Sequence, residues 1–144
     1  MIRIGIVGIG FMGMIHYLAA RKLKGARVEA LCSRDKKKLA GDWTSIQGNF
    51  GPRGEQMDLG GLRKYRELKD LLADPNIDLI DVCNPTHLHP ETAIKELQAG
   101  KHVIVEKAIA LEAKDADAML AAAKKANRLL MVAHVLPFFP EFAF

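Results

Sequence analysis

Cysteine, tryptophan and long apolar runs are scarce in this 144-residue chain, and each scarcity excludes something. The only two cysteines, Cys32 and Cys83, each sit inside an apolar run. They read as buried thiols of a reducing, cytoplasmic compartment rather than a disulfide framework. No spacing of histidine, cysteine and carboxylate resembles a metal site, so no metal is expected. No apolar stretch approaches the roughly 18 residues that would cross a bilayer, so no membrane span is expected. Gly5, Gly8, Gly10 and Gly13 interrupt the apolar N-terminus and no cleavage pattern follows, which argues against a signal peptide. Charge of one sign is also lacking, with Lys+Arg 21 against Asp+Glu 17 and a net +4. The basic residues are dispersed without interleaved aromatics, so a pI of about 9.1 does not point to nucleic acid. Repeats, low-complexity tracts and linkers are missing too. A hydrophobic content of 49% at this length suits one globular domain with a real core.

Short β-rich runs alternate with longer helical patterns, which predicts a doubly wound α/β fold: a mainly parallel sheet with helices on both faces. Ile2 to Val7 reads as a strand buried on both sides. Met12 to Lys24 reads as a helix closed at Gly25, Arg27 to Cys32 as the second strand, and Asp35 to Ala40 as a short helix. From Gly41 to Gly61 the periodicity vanishes in a stretch with six glycines and the only tryptophan, expected to be an irregular, functional or mobile loop. An extended piece at Lys64 to Arg66 and a helix from Glu67 to Ala73 follow. Ile77 to Cys83 is a strong strand, Pro90 to Ala99 a helix, and His102 to Val105 a strand. Glu112 to Asn127 is an alanine-rich helix and Leu129 to Val135 a last strand.

Four places carry chemistry. Gly8-Ile9-Gly10-Phe11-Met12-Gly13 matches G-x-G-x-x-G between a buried strand and a helix. That context gives the spacing its meaning: a tight turn, close approach of a pyrophosphate, and close helix–strand packing. About twenty residues on, where NAD-binding folds place an acid on the ribose, stand Ser33 and Arg34. Serine and arginine can hold a 2′-phosphate, so NADP is favoured over NAD, although Asp35 could turn in to a ribose. The loop Asn84-Pro85-Thr86-His87-Leu88-His89 lies at a strand's carboxyl end, where ligands bind in open α/β sheets. For His89, capping or packing competes with a site role. Glu106-Lys107 is either an exposed ion pair or a lysine placed at a reaction centre.

In this order and at these intervals, together with Ala133-His134-Val135-Leu136-Pro137-Phe138-Phe139-Pro140, the chain resembles the N-terminal half of the Gfo/Idh/MocA oxidoreductases. The resemblance implies a Rossmann domain over residues 1–135, with residues 136–144 starting a crossover to a C-terminal substrate domain. It also implies hydride transfer between NAD(P) and a sugar, cyclitol or related polyol, and a homo-oligomer built through that second domain. By position, Gly8, Gly10, Phe11, Met12 and Gly13 would line the pyrophosphate. Ser33 and Arg34 would meet the adenosine ribose or its phosphate. Asn84, Pro85, Thr86 and His89 would lie along the cofactor, Glu106 would hold the nicotinamide ribose, and Lys107 would be the catalytic lysine. His16 and His102 read as structural. Two departures stand out: Ala108 replaces the proline after the lysine, removing the expected cis or stiff X-Pro bond, and Pro137 stands where an arginine is common. The Gly41 to Gly61 loop is longer than the family's and is expected to cover the adenosine end. Phe138, Phe139, Phe142 and Phe144 would form an apolar patch left for the second domain. The chain alone is expected to bind cofactor without catalysing, and a non-catalytic dinucleotide sensor or regulatory subunit is the alternative.

Overall fold

Strand and helix patterns of these lengths resolve into six parallel strands joined through helices; the computed structural model describes residues 1–142. The strands are β1 (Ile2–Val7), β2 (Ala26–Cys32), β3 (Arg63–Tyr65), β4 (Leu79–Val82), β5 (His102–Val105) and β6 (Leu130–Val132). They form one sheet in the order β3-β2-β1-β4-β5-β6, with every pairing parallel. This is the doubly wound order, whose direction reverses between β1 and β4 and opens a crevice beyond their carboxyl ends. The expected fold class is therefore the observed one.

Side-chain alternation divides the core between the two sheet faces. Ile4 and Ile6 of β1 pack with Met14 and Tyr17 of α1 (Phe11–Ala20) and with Leu39 of α2 (Lys36–Leu39). Val7, Ile80, Val82, Val103 and Val105 face the other way. They meet Leu71 of α3 (Leu68–Leu72), Ala93 and Leu97 of α4 (His89–Gln98), and Met119 and Ala123 of α5 (Ala113–Ala126). Gly5 lets Leu71 press against β1, since a Cβ there would lie 3.1 Å from its Cδ1. Beyond β1 the α1 face is thinly covered: Met131 and Leu129 are exposed and lie, with Ile104 and Leu79, along an open groove.

Several boundaries differ from the sequence reading, two of them for clear local reasons. α1 ends at Ala20 because Lys22 and Leu23 donate to carbonyls three residues back, tightening the chain before Gly25. β6 stops at Val132 because its neighbour β5 ends at Val105, whose carbonyl takes the last bond, from Ala133 N. The largest correction concerns Gly41 to Gly61, which is folded rather than loose. Trp43 is fully buried, donates Nε1 to the Lys38 carbonyl at 2.8 Å, and meets the Tyr17 ring edge-on. Ile46, Met57 and Leu59 are buried beside it, and Asp42 bridges Gln56. The glycines hid a small apolar core of four widely spaced residues.

Phe138 and Phe139 are exposed, as expected for the terminal patch. The side chain of Phe142 and all of Phe144 lie outside the described residues.

Candidate functional site

The glycine loop is shaped by three different needs. Gly8 has φ of +96°, and a Cβ there would come within 2.9 Å of the Asn84 nitrogen. A Cβ on Gly13 would overlap the Gly8 carbonyl oxygen, so glycine at 13 sets how closely α1 packs on the turn. Gly10 has nothing within 4 Å of the Cβ position, leaving open space directly over the start of α1. That helix has no side-chain cap and no acid in its first turn. Its free amides and dipole therefore face the cleft as an anion site.

A cleft of about 740 Å³ runs from this loop over Ser33, Arg34, Lys38, Arg66, Glu67, Leu68, Asn84 and Pro85. Asp35 lines it too, with its carboxylate engaged as the cap of α2, accepting from Lys37 N at 2.9 Å and Lys38 N at 3.3 Å. Arg66 was missed by the sequence reading. It follows β3, and only the pairing of β3 with β2 brings it beside Ser33 across thirty-odd residues of chain.

A second cleft of about 820 Å³ adjoins the first and shares Phe11, Met12, Asn84 and Pro85 with it. Thr86, Glu106, Lys107, Ala133, Leu136 and Phe139 line it further along. Asn84 donates Nδ2 to Thr92 Oγ1 at 2.9 Å, and its Oδ1 is buried without a partner among the described residues. Glu106 is buried and accepts from Lys107 N through Oε2 at 3.0 Å, while its Oε1 has only the ion-pair contact with His16 among the described residues. Lys107 is exposed in this cleft. The Lys107–Ala108 peptide is cis although alanine stands at 108, so the expected loss of that geometry is not observed. The tip of the 41–61 segment also reaches this cleft: Gln47, Gly48, Asn49 and Phe50 line it, with Phe50 edge-on to Phe11 at 4.9 Å. The segment thus covers the Glu106–Lys107 end, not the adenosine end as the sequence suggested.

His89 is the site residue that the structure moves. It is only 1% exposed and lines neither cleft. Its Nδ1 lies 2.8 Å from the Ala108 carbonyl and its Nε2 2.9 Å from the Asn84 carbonyl. Both nitrogens are spent on main chain, so His89 ties the Asn84 loop to the Lys107 loop from behind rather than touching a ligand.

Beneath the second cleft lies a charged cluster. His16 Nδ1 is 2.8 Å from Asp81 Oδ2, and its Nε2 is 3.0 Å from Glu106 Oε1. Burial alone would lower the His16 pKa, but the hydrogen bond and charge of Asp81, with Glu106, carry it above 6.5. Cys83 Sγ is 3.5 Å from His16 Nδ1. Burial first, then the charges of Asp81 and Glu106, push its thiol far above the usual range. Cys32 is likewise pushed up to about 11 by burial and nearby carboxylates. His16, Asp81 and Cys83 bring ligating atoms within 4.8 Å of one another. In this structure those atoms contact one another, with Cys83 Sγ 3.6 Å from Asp81 Oδ1. On α4 the Glu96 carboxyl is wholly buried with both oxygens unpartnered among the described residues. Burial, then Asp81, pushes its pKa well above 4.5.

A nicotinamide dinucleotide fits these features. Open space over Gly10 and free α1 amides suit a pyrophosphate, and the buried acceptors Asn84 Oδ1 and Glu106, whose Oε1 meets His16 alone among the described residues, suit sugar hydroxyl donors.

Comparison with known proteins agrees. Residues 2–134 match the family model GFO_IDH_MocA, described as an oxidoreductase family with an NAD-binding Rossmann fold. Myo-inositol 2-dehydrogenase of Thermotoga maritima is 31% identical over 128 residues, 89% of this chain and 34% of that enzyme. The WlbA dehydrogenase of Bordetella pertussis, solved with NADH and UDP-GlcNAcA, superposes with a TM-score of 0.76 at 29% identity, covering 92% of this chain and 36% of that one. Biliverdin reductase from Synechocystis, solved with biliverdin and NADP+, superposes at 0.78 with 26% identity, covering 95% and 39%. The chain spans about a third of the length of the curated relatives it matches. Among the described residues no helix is long and apolar enough to cross a membrane.

Proposed function

Because the chain belongs to the Gfo/Idh/MocA family of NAD-binding Rossmann oxidoreductases, we propose that it is the cofactor-holding part of a dehydrogenase acting on a sugar, cyclitol or related polyol. The carrying observation is the pair of adjoining clefts, with a phosphate-binding helix start at their junction and Glu106 and Lys107 at one end. Gly8, Gly10, Phe11, Met12 and Gly13 cradle the pyrophosphate. Asn84, Pro85 and Thr86 run along the dinucleotide, and Glu106 accepts from the nicotinamide ribose. When bound, the nicotinamide supplies or accepts the hydride. Lys107 is the proposed catalytic residue: its ammonium hydrogen-bonds the reacting oxygen and shifts a proton as that oxygen changes between hydroxyl and carbonyl. Residues 136–144 begin the crossover to a substrate-binding domain.

NADP is the proposed cofactor. Ser33 stands where an acid would repel a 2′-phosphate, and Arg34, Lys38 and Arg66 line the pocket against two acids, Glu67 and Asp35, of which Asp35 is committed to a helix cap. Titration of the chain with NADPH and NADH, followed by nicotinamide fluorescence, tests both statements. Binding of NADPH with at least severalfold preference is expected. Failure of both to bind at millimolar concentration would overturn the cofactor assignment.

A further inference from the structure

His16 faces a carboxylate with each ring nitrogen, Asp81 at 2.8 Å and Glu106 at 3.0 Å. A neutral imidazole has one N–H and one lone pair, so one of these contacts would set a lone pair against an anion. Only the imidazolium serves both. The residues come from three elements that build the cleft: the phosphate-binding helix α1, the central strand β4, and the turn after β5. His16 is about one-sixth exposed, and its partners less so, so these charges are poorly screened.

We propose that His16 is a positioning residue that, as an imidazolium, holds the Glu106 carboxylate in place for the nicotinamide ribose and couples that end of the cleft to helix α1. The inference rests on the cofactor reading above. Glu106 shares its charge between His16 on one side and Lys107 N on the other, which pins both oxygens. Its Oε1 meets His16 at 3.0 Å with one lone pair, and the second leaves room for a hydroxyl donor. Without the cation, Glu106 and Asp81 would be two buried carboxylates with no counter-charge between them, and one would protonate or swing away. The titratable groups facing His16 are Asp81 on β4, Cys83 just beyond it, and Glu106 after β5. Glu96 acts on Asp81 and Cys83 from α4 on the far side of the sheet.

Two measurements test this. Proton NMR of the ligand-free chain should show His16 titrating above 6.5, and Asp81→Asn should lower that midpoint. A midpoint at or below 6.5 overturns the proposal whatever the binding results. NADPH, NADH and ADP, which lacks the nicotinamide ribose, are then titrated from acid to alkaline pH. His16→Gln should bind the dinucleotides about tenfold more weakly while ADP affinity stays within about twofold. Wild-type dinucleotide affinity should fall as pH rises through the His16 midpoint, and the variant should lack that step. Matching profiles for wild type and variant overturn the role of His16. If wild type binds ADP but gains nothing from the nicotinamide half, the cofactor reading at that end has failed, and this proposal with it. Should His16→Gln not fold, Asp81→Asn carries the same comparison.

Discussion

Gly10→Ala and Gly13→Ala each add one methyl to the same loop, and the two changes should fail in opposite ways. At Gly10 the backbone has φ −106° and ψ −162°, which any residue adopts, and the new methyl meets nothing within 4 Å. Alanine is a poorer N-cap than glycine by at most about 1 kcal/mol. A stiffer unfolded chain returns about 0.4–1 kcal/mol of that. The net change in stability stays within about 1 kcal/mol, or roughly 2–4 °C in Tm for a chain of this size. Yet the methyl occupies the space through which a pyrophosphate would reach the α1 amides. Losing even one charge-assisted hydrogen bond, worth about 1.5–3 kcal/mol, weakens binding tenfold or more.

Gly13→Ala reverses this. Its methyl overlaps the Gly8 carbonyl oxygen, which is backbone and cannot rotate aside, so α1 must move off the turn. Overpacking of this kind costs about 1–3 kcal/mol, sometimes more, and Tm should fall by several degrees. Thermal melts and NADPH titrations of both variants make the assay. Wild-type affinity in Gly10→Ala, or a wild-type melt in Gly13→Ala, would refute the separate roles assigned to the two glycines.

Arg34→Ala should weaken NADPH about five- to tenfold and NADH little, because Arg34 is exposed and its contact with a 2′-phosphate is partly screened; equal losses in fluorescence titrations would remove the 2′-phosphate assignment. Glu96→Leu should stabilise the chain by about 1–3 kcal/mol at neutral pH, since it replaces an unpartnered buried carboxyl with a side chain of similar size. The sign of its pH dependence follows from the raised pKa: the folded state holds a proton that the unfolded state releases above 4.5, so stability falls as pH climbs from there. Denaturant melts across that range should show the slope in wild type and its loss in the variant, and identical slopes would show that Glu96 finds a partner.

What the sequence disclosed about this fold and site follows the range of the forces involved. Strand–helix alternation and the glycine spacing are local, so the sheet, the α1 start, the tight turn at Gly8 and the close packing at Gly13 were legible from neighbouring residues. His89 was ambiguous because its ring could face a ligand or the main chain, and the answer depended on Ala108, nineteen residues away. Arg66 and the Gln47–Phe50 tip were hidden for a related reason: strand pairing and the Trp43 core bring them to the clefts, and neither leaves a periodic mark. His16 read as structural, and its partners could not be named from the sequence. Three residues past Gly13 on a helix it looked structural, and only the meeting of α1, β4 and the turn after β5 sets it between two carboxylates. Burial raises the stakes there, because an unshared charge is tolerable at the surface and not beneath a cleft. The residues hardest to read from sequence are thus those whose charge or placement is set by partners from other elements, while the glycine loop proposed to take the phosphate would act mainly through its own backbone.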